Sequence, residues 1–217
     1  MRDFLHDFLS IANIDSGDVR VGLVTYSTNT SIQFHLKTFS SKVMVLKAIE
    51  KTPYTYGSTN TADGIRTMRK MFRAKFGDRK NVNNVAVVIT DGVSNIEHAK
   101  TIPEARKSRR RGIHIYSIGI GLTDLREIEG IASRPVIANR FIVKDFSELR
   151  ALRDKVFRSV CVATEAKAKA KKHKPACPVR RRTIRCLSSV NCKKRGGWII
   201  SRYVCRKANR GCCKSWR

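Results

Sequence analysis

Two almost unbroken apolar runs constrain this chain more than any other feature: VAVVITDG at 85–92 and IHIYSIGIG at 113–121. A run of strand length with no polar face to offer water reads as a strand buried on both sides. Each run is followed by a stretch with helical spacing, the first through Ala105 and Arg110 and the second as LTDLREIEGIAS. FIVKD then reads as a further strand and FSELRALRDKVF as a last helix. Such alternation predicts an α/β fold, a doubly wound, mostly parallel sheet with helices on both faces.

Upstream the pattern is more mixed. Phe4, Leu5, Phe8, Leu9 and Ile11 lie at helical spacing, and DVRVGLVT at 18–25 alternates as a strand does. TYSTNTSIQFHL passes through a polar turn into a second short strand, which predicts a hairpin. SSKVMVLKAIEKT reads as an amphipathic helix with a serine N-cap. The loop GSTNTADG at 57–64 then opens a helix through IRTMRKMF. In an open parallel sheet, ligands gather where strands end at their carboxyl side, which places Asp91 at the crevice and Thr59 within reach of it.

Charge and cysteine divide the chain unevenly. Of 45 Lys and Arg residues, 18 lie in 165–217 beside a single acidic residue, and the whole chain carries a formal charge of +28. That excess favours anionic partners. All seven cysteines also fall late, at 161, 177, 186, 192, 205, 212 and 213, a density that implies disulfides and an oxidising compartment. The opening MRDFLHDFLS is interrupted by Asp3 and Asp7, so it reads as neither a signal peptide nor a membrane span. The boundaries drawn are 1–161 for the α/β domain, 162–176 for a basic Ala/Lys linker, and 177–217 for a cationic six-cysteine module too poor in apolar residues to build a core without its cysteines.

The order of elements, with VRVGLVTYS, GSTNTADGIR, VAVVITDG and IHIYSIGIG, resembles the von Willebrand factor A domain, in particular those of matrilins and type VI collagens. The resemblance covers residues 1–161. It implies a site for Mg2+ or a similar divalent ion, built from an Asp-x-Ser-x-Ser loop after a first central strand, a threonine matched by Thr59 and an aspartate matched by Asp91. Oxygen donors suit a hard cation that keeps a position open for a partner's carboxylate. No Asp-x-Ser-x-Ser precedes the first helix, so the resemblance implies a missing first strand, half of the metal site and negligible Mg2+ binding by this chain. Met1 is then expected to be an internal methionine of a longer protein or the product of an incomplete gene model, with the partner of Cys161 and the signal peptide in the lost segment. Asn29-Thr30-Ser31 is a glycosylation sequon at the expected turn, in keeping with secretion.

Cys177, Cys186, Cys192, Cys205 and the pair Cys212-Cys213 run in an order that resembles β-defensins and the C-terminal module of big defensins. That resemblance implies pairings of Cys177 with Cys212, Cys186 with Cys205, and Cys192 with Cys213; the residues alone leave the connectivity open. Trp198 and Trp216, with Arg180, Arg181, Arg182, Lys193, Lys194, Arg195, Arg202 and Arg206, make a cationic, amphipathic surface suited to anionic membranes or acidic glycans.

The expected function is extracellular adhesion or matrix binding, with an A-type domain for protein or glycan recognition. A host-defence protein with an antimicrobial effector module is the alternative, and a nucleic-acid-binding basic protein the third reading. His6, His35, His98, His114 and His173 are scattered, and no nucleophile with its base and no phosphate loop is discernible, so no enzymatic activity is expected.

Overall fold

The computed structural model describes residues 1–160 and the backbone of three short strands between 184 and 215. The chain divides into two compact units, Met1–Val162 and Ala163–Arg217.

The first unit runs α1 (Arg2–Ser10), β1 (Leu23–Tyr26), β2 (Thr30–Phe34), α2 (Lys42–Glu50), α3 (Thr61–Met71), β3 (Asn84–Thr90), α4 (His98–Arg110), β4 (Ile113–Ile120), α5 (Arg126–Ile131), α6 (Val136–Asn139) and β5 (Arg140–Val143). A 3-10 turn at Glu148–Leu152 leads into a helix over 153–160. Strands β3, β4 and β5 form a parallel sheet in that order, with Ala86 opposite Ile115 and Ile118 opposite Phe141. Strands β1 and β2 pair antiparallel as a separate hairpin. The doubly wound α/β arrangement is present, but its sheet stands in two pieces, and among the described residues no ladder joins β1 to β3.

Two apolar cores flank the strands. On one side Ile65 and Met68 of α3, Ala105 of α4 and Ile131 of α5 pack against Ala86, Val88, Ile113 and Ile115. On the other, Leu9, Ala12, Ile14, Val45 and Ile49 surround Phe34, with Phe157 against them. Helix α1 serves this second core because Phe4, Leu5, Phe8 and Leu9 share its inner face; Phe8 meets Phe157 edge-on with ring centroids 6.0 Å apart. The Tyr116 hydroxyl donates to the Ser159 carbonyl at 2.6 Å, seating the last helix on that side of β4.

Several local expectations are corrected. Residues 18–22 are not strand. Arg79 donates to the carbonyls of Gly17 and Asp18, both at 2.6 Å, so backbone here is engaged by a side chain rather than a ladder. Ser41 does stand at the N-cap of α2 but makes no side-chain cap; the amide of Lys42 donates instead to Asp15 Oδ1 at 2.8 Å. Strand β3 is not buried on both faces: Ala86, Val88 and Thr90 are buried, whereas Val85, Val87 and Ile89 are only half-buried. Of β1 to β5, only β4, with a neighbour on each edge, is buried almost throughout.

In the second unit β6 (Ile184–Leu187), β7 (Gly197–Ile200) and β8 (Gly211–Ser215) pair antiparallel in the order β6-β8-β7. The linker, the cysteine pairings, the defensin-like reading and the cationic side chains expected between 177 and 217 lie outside the described residues.

Candidate functional site

The loop before α3 and the loop after β3 are zipped together by their own backbones. The carbonyl of Thr59 accepts from the amides of Asn95 at 3.0 Å and Ile96 at 3.2 Å, and from the Ser94 hydroxyl at 3.3 Å. Asn95 returns the contact, its Oδ1 accepting from the Thr59 amide at 2.8 Å. A methyl group at Gly92 would lie 3.4 Å from Thr59 Oγ1, so the threonine hydroxyl touches the turn that carries Asp91. Thr90 Oγ1 donates to the Gly92 carbonyl at 2.7 Å and holds that turn closed. Thr59, half-buried, and Asp91, exposed, therefore meet on one crest at the carboxyl end of β3.

Neither residue caps the adjoining helices. Asn60 caps α3, its Oδ1 accepting from the Asp63 amide at 3.1 Å, and Glu97 occupies the N-cap position of α4. Asp91 is exposed, and the Thr59 hydroxyl lies against the turn that carries it.

Support comes from residues that sequence patterns do not single out. Glu127 of α5 is buried, and its carboxylate accepts from the Ser94 amide at 3.1 Å and meets His98 Nδ1 at 3.0 Å. It therefore anchors the loop from beneath. Arg66 links Asp63 at 2.9 Å to Glu97 at 3.1 Å, tying α3 to the start of α4; Lys100 and Arg66 together hold the Glu97 carboxyl below its ordinary range. Tyr26 of β1 lies under the crest. Its ring packs on Gly64, where a methyl group would come within 2.8 Å of Tyr26 Cγ, and its hydroxyl donates to the Ile89 carbonyl at 2.8 Å. Burial pushes this phenol up, and the charges of Glu127 and Asp91 push it further. Asn29 stands exposed at the β1–β2 turn.

As a metal centre the crest is incomplete. Thr59 and Asp91 offer one hydroxyl and one carboxylate, whereas Mg2+ demands near-octahedral coordination and Ca2+ takes six or more oxygen ligands. Among the described residues no group of three or more His, Cys, Asp or Glu could hold an ion. Among the described residues, the donors at this crest do not by themselves fit a resident divalent cation.

A parallel α/β sheet whose carboxyl-end loops bring a threonine to an aspartate defines the class, and residues 1–155 match the von Willebrand factor type A domain. The chain belongs to that family. It is 31% identical over 172 residues to the collagen alpha-4(VI) chain of Mus musculus, covering 78% of this chain and 7% of the collagen. It is 29% identical over 168 residues to matrilin-2 of Mus musculus, covering 74% of this chain and 17% of matrilin-2. The chain thus spans a small fraction of these relatives. Among solved structures, proximal thread matrix protein 1 from the mussel byssus superposes with a TM-score of 0.69 at 27% identity, over 74% of this chain and 41% of that one. A further structure of the mussel protein is described with a zinc-occupied MIDAS motif, at a TM-score of 0.68 and 26% identity. Divalent metal binding therefore occurs within this domain class.

Proposed function

We propose that this chain is an extracellular matrix or adhesion protein whose A-type domain recognises a protein or glycan partner through the crest of Thr59 and Asp91. One observation carries the reading: the two loops that supply Thr59 and Asp91 also carry large side chains left in water. Tyr54 and Tyr56, in the loop leading to Thr59, are 71% and 86% exposed and pack edge-on at 4.7 Å, and Val93 follows Asp91 on the other loop. Exposed tyrosines on a framework of fixed loops suit recognition better than stability, since they bury large area on binding at little entropic cost. The domain acts by binding rather than by catalysis. The similarity to collagens and matrix proteins supports an extracellular setting.

Thr59 and Asp91 are what this chain retains of a cation site, and Mg2+ is not required for partner binding here. The basic segment 165–217, through Arg180, Arg181, Arg182, Lys193, Lys194, Arg195, Arg202, Arg206, Trp198 and Trp216, adds attraction to anionic surfaces. Its six cysteines from Cys177 to Cys213 are oxidised, and Asn29 carries a glycan.

The test is adhesion of the full chain to immobilised matrix collagens and proteoglycans. Replacing Tyr54 and Tyr56 by serine should abolish adhesion above the background set by the basic segment, with no change in thermal midpoint, and EDTA should have no effect. Undiminished adhesion by the double variant would remove the crest from the proposal. Calorimetric titration with Mg2+ should give no saturable heat; tight binding would overturn the half-site reading.

A further inference from the structure

We propose that the A-type domain carries a second binding site, away from the Thr59–Asp91 crest, for a sulfated acidic glycan. This inference rests on the matrix reading and names one partner class for it.

The site is a cleft of about 460 Å3 between α5 and the segment around α6, lined by Arg126, Glu129, Arg134, Ile137 and Arg140 among others. Two of its arginines have local carboxylates. Arg126 forks onto Asp124, with Nε 3.0 Å from both oxygens, and Arg140 Nε lies 3.1 Å from Glu129 Oε1. Arg134 is exposed, and among the described residues no carboxylate lies within ion-pair distance of it. The same holds for exposed Arg106 on α4. Between them Arg109 donates to the carbonyls of Gly130 and Ile131 at 2.8 and 2.6 Å, closing the end of α5 behind the cleft wall. Burial lowers the readiness of Arg109 to hold its proton, and the charges of Arg134 and Arg106 lower it further. Arg134 on the cleft wall, Arg109 behind it and Arg106 one turn before Arg109 on α4 thus extend the positive charge of the cleft beyond its two paired arginines.

Neighbouring like charges cost stability unless something neutralises them, and the planar guanidinium fork matches the oxygens of a sulfate monoester. A sulfated sugar chain presents such groups at intervals, with apolar ring faces for the 79% exposed Ile137 at the cleft mouth. Single-stranded nucleic acid fits less well, because no aromatic side chain lines the cleft to stack on a base. A membrane fits less well too, since Ile137 is the sole strongly exposed aliphatic among the lining residues.

The basic segment 165–217 will also bind any polyanion, so the experiment must resolve the two. The full chain is titrated with a size-defined heparin-type octasaccharide while arginine reactivity toward phenylglyoxal is followed by mass spectrometry. Arg106 and Arg134 should be protected severalfold by the sulfated octasaccharide and not by an unsulfated hyaluronan fragment. Replacing Arg106 and Arg134 by serine, both exposed and neither holding the fold, should lower the slope of log affinity against log salt by about two. Protection confined to 165–217 with an unchanged slope would overturn this site while leaving the matrix reading intact. Equal protection by hyaluronan, or stronger protection by a short DNA duplex, would overturn the sulfated-glycan assignment.

Discussion

Gly64 shows how one residue serves two levels of structure. Inside a helix a glycine costs about 1 kcal/mol relative to alanine, so Gly64→Ala should by propensity stabilise α3. The Tyr26 ring forbids it: a methyl group there would stand 2.8 Å from Cγ and 3.0 Å from Cδ1. Gly64→Ala is therefore expected to lower the urea midpoint, and Tyr26→Ala in the same chain should recover part of that loss. A gain in stability from Gly64→Ala alone would show that the ring yields without cost. The sequence shows GSTNTADG only as the opening of a helix; the neighbour that makes the glycine necessary lies 38 positions away, and only folding supplies it.

At the scale of elements, α3 and α4 are joined by a nearly buried charge cluster. Arg69 Nη2 meets Glu104 Oε2 at 2.5 Å with side chains 11% and 7% exposed, and Lys107 Nζ reaches Glu104 Oε1 at 2.8 Å. Burial alone would raise the Glu104 carboxyl, yet the hydrogen bonds from Lys107 and Arg69 outweigh it and hold the group below its ordinary range. Removing Arg69 leaves Glu104 with Lys107 as its remaining cation, so Arg69→Met should destabilise in chemical denaturation by less than the roughly 3–5 kcal/mol of a buried charge left with no partner. Because the folded value lies below the unfolded one, the contribution of Glu104 is present above the ordinary glutamate value of about 4.3 and fades as pH falls through the folded value. The stability gap between wild type and Glu104→Gln should accordingly narrow on acidification below about pH 4; a gap that widened instead would reverse the assignment. The helices themselves were legible from their periodicity. Their pairing through Arg69 and Glu104 was not, because charged residues on a helical pattern read as solvated faces unless tertiary contact buries them.

Across the whole α/β unit the decisive feature is the break between β1 and β3. Strand β4 is paired on both edges, whereas β3 has one described partner and its Val85, Val87 and Ile89 are only half-covered. At the break, Tyr26 gives its hydroxyl to the Ile89 carbonyl, a side chain meeting one orphan acceptor where a ladder would meet several. Native-state hydrogen exchange should therefore find the β4 amides slowest, and the β3 amides directed away from β4 markedly faster. Equal protection along both strands would mean that a further segment pairs with that edge. Residue order alone determined the alternation of strand and helix, the two apolar runs and the family to which they belong, because burial imposes its period wherever a chain folds this way. Tertiary structure alone decided that Thr59 and Asp91 share a crest, that Glu127 holds the loop beneath them, and that Arg109 of α4 closes on the end of α5 behind the cleft that Arg134 lines. Those groupings depend on distances between residues far apart along the chain, which no local pattern encodes.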